Sequence, residues 1–227
     1  DLEICREAVR DVDCVLHEAA LGSVPRSVKD PMTSTAVNIL GFVNMLYAAQ
    51  EAKIRRFVYA SSSSVYGDSA TPPFSEDQRI DRPRSLYAAT KAANELMAYT
   101  YAQLYGLRAT GLRFFTVYGP WGRPDMALFL FTKAILDGKP IRVFNHGKHK
   151  RSFTYVDDIV EGVVRALDRV PGKDPDWKSA APDPATSGVA PYRLYNIGNE
   201  QPVELLRYIE VLEQCLGRKA QMELLPL

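Results

Sequence analysis

Apolar residues along this chain follow two rhythms, short unbroken runs and stripes that repeat every three to four positions, and the two alternate as a parallel α/β sheet requires. Runs at residues 12–16, 57–60, 109–115 and 192–197 predict buried strands. Between 30 and 53, Val37, Leu40, Phe42, Val43, Leu46 and Tyr47 form a helical stripe. It starts at Asp30-Pro31, where the aspartate can cap the helix and proline can take its first position. A second long helix is predicted from about Ser85 to Gly106, a glycine suited to the left-handed C-terminal cap. Beyond Gly119 the elements become smaller: a helix over 126–136, a strand over 141–144, a strand turn and helix over 153–169 capped by Asp157 or Asp158, and a helix over 203–216 ending at Gly217. The Pro-rich stretch 71–83 is predicted to be a loop, and 172–191, rich in Pro, Ala, Ser and Asp, an exposed one. No internal repeat is visible.

With 227 residues, 46% of them apolar, the chain can bury a substantial core. Its 28 basic and 27 acidic residues leave a net charge of +1, which argues against a nucleic-acid partner, since that would need a basic excess or stripe. No apolar run approaches the length needed to cross a bilayer and no secretory signal opens the chain, so no membrane partner and a cytoplasmic location are expected. Cys5, Cys14 and Cys215 are odd in number and widely spaced, which predicts reduced thiols. No metal site is expected either. His146 and His149 sit in a basic stretch without acidic or thiol partners, and His17 reads as a packed strand-end residue.

The chemistry concentrates in two places. Tyr59-Ala-Ser-Ser-Ser-Ser-Val-Tyr66-Gly67 ends a predicted strand in serines, and Tyr87-Ala-Ala-Thr-Lys91 opens the second long helix. Residues four apart share a helix face, so the Lys91 ammonium can lower the pKa of the Tyr87 phenol and make it a proton acceptor, while a serine hydroxyl holds the same substrate oxygen. With twelve tyrosines in the chain, the spacing alone would carry little weight, and its place after the serine strand is what makes it informative. The Ala19-Ala20, Ser62 and Thr116 segments all follow predicted strands, and ligand sites in open parallel sheets lie at such carboxyl ends.

These residues, with His17-Glu-Ala-Ala20, Arg113-Phe-Phe-Thr-Val-Tyr-Gly-Pro120 and Arg151-Ser-Phe-Thr-Tyr-Val-Asp-Asp158 in that order, resemble the extended short-chain dehydrogenase/reductases, in particular the NAD-dependent nucleotide-sugar 4-epimerases. The resemblance covers nearly the whole chain. It implies a Rossmann-like, doubly wound parallel sheet with a smaller mixed α/β substrate domain: residues 1–119, joined by 153–170 and 192–198, belong to the NAD-binding part, and 120–152 with 199–227 to the UDP-sugar-binding part. The family opens with a Gly-x-x-Gly-x-x-Gly loop that none of the fourteen glycines here supplies. The chain is therefore expected to be an internal piece whose first strands and final segment are missing, and which by itself would not hold NAD tightly.

The resemblance assigns roles. Tyr87 removes the proton from the sugar C4 hydroxyl as hydride leaves for NAD, Ser62 hydrogen-bonds that oxygen, and Lys91 also contacts the nicotinamide ribose; a 4-keto sugar forms and is reduced on its other face. Ala19 and Ala20 line the adenosine side or are simply core. Asn38 supports the cofactor-binding strand or is an exposed helical amide. Ser63 and Ser64 either touch the sugar or serve the turn. Arg151 binds the diphosphate or belongs to a solvated cluster, and Val143, Phe144 and Asn145 face the uracil. The two long helices are expected to form a homodimer interface.

Substrate signals diverge. Thr116 and Arg123 resemble the UDP-glucuronate 4-epimerases, and an arginine there can fork onto a C6 carboxylate. Gly22 and Ser23 resemble instead the epimerases of UDP-N-acetylglucosamine and its uronate. The longer first segment favours UDP-glucuronate. A decarboxylase or 4,6-dehydratase of the same fold is the neighbouring alternative, though a dehydratase would carry an acidic pair where Ser63-Ser64 stands. A catalytically inactive fragment is the other.

Overall fold

The computed structural model describes residues 1–68 and 71–226. In chain order the elements are α1 (Leu2–Ala8), β1 (Cys14–His17), α2 (Val24–Lys29), α3 (Pro31–Thr35), a π-helical turn Ala36–Leu40, α4 (Gly41–Glu51) and β2 (Arg56–Ser62). A 3-10 turn Ser63–Tyr66, α5 (Leu86–Tyr105), β3 (Ala109–Phe114), β4 (Thr116–Tyr118), α6 (Ala127–Leu136) and β5 (Ile141–Val143) follow. The chain continues with a 3-10 turn Phe144–Gly147, β6 (Lys150–Tyr155), α7 (Val156–Asp168), β7 (Tyr192–Ile197), β8 (Pro202–Glu204), α8 (Leu205–Leu216) and β9 (Met222–Leu224). Two compact units result, one of Asp1–Phe114 and Glu161–Ile197, the other of Phe115–Val160 and Gly198–Leu227.

The first unit is built on a wholly parallel sheet in the order β1-β2-β3-β7, which is Rossmann-like. Strand alternation divides its side chains between two covered faces. Phe57, Tyr59, Ala109, Tyr192 and Leu194 pack with Phe42, Leu46, Ala98 and Ala102 of α4 and α5, whereas Val58, Leu112 and Ile197 pack with Val163, Ala166 and Leu167 of α7. Gly111 sits where a Cβ would meet the Tyr59 hydroxyl at 2.5 Å, so the Tyr59–Tyr192 layer above β3 requires glycine there. Ser62, Phe114 and Ile197 lie in register, which puts the carboxyl ends of the three strands along one edge.

Local sequence explains the helix limits. Asp30 accepts the Thr33 amide at 3.1 Å and Ser85 accepts the Ala88 amide at 3.1 Å, both as N-caps. Gly106 ends α5 at φ 68° and Gly217 ends α8 at φ 62°, the left-handed caps that the glycines promised.

Several expectations need correction. The helix Pro31–Glu51 is long and apolar enough to cross a membrane, contrary to the reading that no stretch is; its Phe42, Leu46, Ala48 and Ala49 face is nonetheless buried in the core, while Met32 and Leu40 are exposed. Asp157 and Asp158 lie within the first turn of α7 rather than ahead of it. The stretch 172–191 is not wholly exposed, because Ala185, Thr186, Ser187 and Ala190 are buried. Helices α1 and α2 and the three-residue strands β4, β8 and β9 were not anticipated.

The second unit carries a three-stranded sheet, β4-β6-β8, with β6 parallel to β4 and antiparallel to β8, and a parallel pair β5-β9. Its core joins Ile135 of α6, Ile141 and Val143 of β5, and Ile209 and Leu212 of α8.

Candidate functional site

Strand β2 and helix α5 of the first unit bring Ser62 and Lys91 to the carboxyl end of the sheet, with Tyr87 one helical turn before Lys91. Ser62 ends β2, and the turn after it packs on α5, whose first two turns carry Tyr87 and Lys91. Lys91 is 2% exposed, and its Nζ donates to the Ala60 carbonyl at 2.7 Å, two residues before Ser62. Burial lowers the Lys91 pKa to about 8, against the opposing pull of the Glu18 carboxylate. The Ser62 hydroxyl accepts hydrogen bonds from the Ser64 hydroxyl at 2.8 Å and the Ser64 amide at 3.2 Å. Its own O–H is then the group left to donate outward.

Beneath the serines lies a buried ionic network. Arg113 on β3 donates Nε and Nη2 to the two carboxylate oxygens of Glu95 on α5, at 2.9 and 2.8 Å, and both side chains are almost fully enclosed. Burial on its own would lower the Arg113 pKa, but the Glu95 hydrogen bonds and charge raise it, so the guanidinium stays charged. Ser61 donates to Glu95 at 2.5 Å, Arg113 donates to the Tyr66 hydroxyl at 3.0 Å, and Tyr66 donates to Asn196 at 2.6 Å. Asn196 also binds the Glu76 carboxylate and the Phe74 carbonyl, which ties the 71–83 loop to β7. Glu95 was not singled out from sequence, yet it continues the Tyr87, Lys91 spacing by another four residues, and that polar stripe was a usable signal.

Other expected residues fall as follows. Ala19 is exposed and Ala20 half-buried beyond the end of β1. Gly22 and Ser23 are half-buried, with Ser23 capping α2 through the Arg26 amide. Asn38 is 1% exposed in the π-helical turn, not an exposed amide, and it grips the Leu21 backbone at both ends, accepting from the N–H at 2.8 Å and donating to the carbonyl at 3.3 Å. Ser63 is half-buried in the 3-10 turn. His17 packs between the Phe42 and Phe57 rings, and burial, reinforced by the Lys91 charge, lowers its pKa to about 4.

The second unit contains a cavity of about 330 Å³. Among its lining residues are Thr116, Phe144, Arg151, Arg142, His149 and Tyr208. The Phe153 and Tyr208 rings stack there at 4.7 Å. Arg142 and Tyr208 carry no signal in the sequence pattern, and His149 was weighed there only as a metal ligand. Val143 points away: the alternation of β5 sends it into the core of this unit with Ile141, whereas Phe144, which opens the following 3-10 turn, is exposed. Asn145 follows in the left-handed region at φ 52°, and Arg123 is exposed and pairs with Asp125 at 2.6 Å. Neither is among the residues lining the cavity.

Comparison with known proteins places these features. The chain is 52% identical over 209 residues to Protein CapI of Staphylococcus aureus, covering 92% of this chain and 62% of that protein. It is 50% identical over 215 residues to UDP-glucuronate 4-epimerase 6 of Arabidopsis thaliana, covering 93% of this chain and 45% of the relative. The chain thus spans about half to three-fifths of the length of these relatives. Its fold is similar to the crystal structure of UDP-glucuronic acid 4-epimerase from Bacillus cereus in complex with UDP-glucuronic acid and NAD, with a TM-score of 0.84 and 31% identity over all of this chain and 67% of that one. A sequence model of the NAD dependent epimerase/dehydratase family matches residues 1–179, and with these relatives it establishes that the chain belongs to that family.

Proposed function

We propose that the protein inverts C4 of a UDP-sugar in an NAD-dependent reaction, with UDP-glucuronate as substrate and UDP-galacturonate as product. The observation that carries this reading is the buried Lys91 ammonium, one helical turn from Tyr87 and anchored to the strand that ends in Ser62. Tyr87 takes the C4 hydroxyl proton and later returns it, Lys91 favours the phenolate by its charge, and the Ser62 O–H donates to the same sugar oxygen. The residues fit a dinucleotide at this edge: an ammonium has three donors, Ala60 takes one, and a ribose hydroxyl can take another. NAD, when bound, supplies the acceptor and then the donor of the C4 hydride. The lining of the second unit's cavity, taken by itself, suits a nucleotide, with Arg142 and Arg151 for a diphosphate and aromatic rings for a planar base.

UDP-glucuronate is favoured by the relative and the solved structure that bear that name and by Arg123, whose fork already holds the Asp125 carboxylate and would exchange it for the sugar carboxylate. A homodimer is supported by the apolar side chains that α3, the π-helical turn and α5 leave exposed, Met32 at 78%, Leu40 at 60% and Leu96 at 67%. The test is to incubate the full-length protein with UDP-glucuronate and identify the product by NMR. A mixture with UDP-galacturonate is expected, and Arg123→Leu should cut kcat/KM for this substrate about tenfold or more. No inversion at C4, or faster turnover of UDP-N-acetylglucosamine, would overturn the assignment.

A further inference from the structure

Three buried hydroxyl and amide side chains meet around the backbone of Tyr87. The Tyr87 amide lies in the first turn of α5, where no carbonyl of the same helix can accept it. Its acceptor is the Ser27 hydroxyl at 3.2 Å, supplied from α2 sixty residues earlier. The Ser27 proton goes to the Val24 carbonyl at 2.8 Å, so its oxygen is turned toward Tyr87. On the other side, the Thr90 hydroxyl donates to the Tyr87 carbonyl at 2.8 Å and accepts from Asn38 at 3.2 Å. Asn38 in turn holds both backbone groups of Leu21. Ser27, Asn38 and Thr90 are each no more than 1% exposed, so water cannot replace these partners. The π-helical turn that presents Asn38 is itself an uncommon geometry that is found often at functional sites.

We infer that Ser27 and Thr90, backed by Asn38, form a clasp that fixes the Tyr87 backbone against the Leu21–Ser23 segment, making them positioning residues for proton transfer. This rests on the epimerase reading above. Lys91 sets the phenol's charge, whereas the clasp sets where the phenol is. Placement matters because small displacements of a reacting group cost large factors in rate. The clasp also joins the first turn of the Tyr87 helix to the segment carrying Gly22 and Ser23, so the same bonds that place the phenol hold that segment.

The test compares Ser27→Ala, Thr90→Val and Thr90→Ser in the full-length protein, by amide hydrogen exchange at Tyr87 and by steady-state kinetics. Ser27→Ala should speed Tyr87 exchange about tenfold. Both deletions should lower kcat about tenfold with KM for the UDP-sugar and NAD content within about twofold of wild type, while Thr90→Ser keeps near wild-type turnover. Unchanged Tyr87 exchange in Ser27→Ala overturns the clasp. So does wild-type kcat in both deletions, or a loss of kcat and affinity in step with a lowered melting temperature, which would mark a purely structural role. If the wild-type protein does not epimerise at all, the functional reading fails, and the exchange rate at Tyr87 then decides the clasp by itself.

Discussion

The sheet edge of the first unit and the cavity of the second handle charge in opposite ways. Arg113 is 1% exposed and bound on several sides, and Lys91 is 2% exposed with its Nζ fixed to a backbone carbonyl. Arg142 and Arg151 are exposed among the residues lining the cavity; Arg142 lies 3.6 Å from Glu223, and the Arg151 guanidinium donates to its neighbour's carbonyl. The proposed proton transfer needs one geometry, and burial would enforce it by making every alternative arrangement lose hydrogen bonds. Recognition of a diphosphate needs positive charge that can move onto it, and water-exposed guanidinium groups offer that without a large desolvation penalty.

The contrast breaks first at Arg113. Arg113→Leu leaves Glu95 buried without its partner and should cost about 3–5 kcal/mol of stability, read by denaturant unfolding. Adding Glu95→Leu should recover part of that loss, since the stranded charge is gone. Recovery of nothing would mean that the network is held by Ser61 and Tyr66 rather than by the ion pair.

Lys91 gives the buried side of this comparison a pH signature. Its folded pKa of about 8 lies below the ordinary 10.5, so between those values the unfolded chain binds a proton that the folded chain has released. Stability should therefore rise with pH across that window, relative to Lys91→Met measured without NAD. Below about 8 both states are protonated and the burial cost is fully present. A falling difference would show that the ammonium is better solvated when folded than its burial indicates.

The smallest effect belongs to the exposed side. Arg151→Leu should leave stability within about 0.5 kcal/mol of wild type and raise KM for the UDP-sugar about tenfold with kcat nearly unchanged. The KM difference from wild type should shrink as salt is raised. A large drop in stability would place Arg151 among the structural charges.

What the sequence made legible follows the same division. Helix limits set by nearby residues were readable, as Asp30-Pro31, Ser85 and Gly106 show, and so was the strand Tyr192–Ile197. Elements that exist only because a distant partner pairs with them were not. β9 forms against β5, 81 residues away at Ile141 and Met222, and three residues give no period to read. Tyr87 and Lys91 stood out by spacing, whereas nothing in the sequence marked Ser27, whose part depends on α2 bringing it to the Tyr87 amide. Val143 was given the outward role that its neighbour Phe144 has, since a two-residue alternation in a three-residue strand cannot be phased without the core.

The central claim is that Tyr87 moves the proton while buried neighbours hold it in place. Tyr87→Phe in the full-length protein isolates that hydroxyl. The account predicts that epimerisation of UDP-glucuronate falls by about two or more orders of magnitude while bound NAD, UDP-sugar affinity and melting temperature stay close to wild type. Turnover within about threefold of wild type in that variant would contradict it.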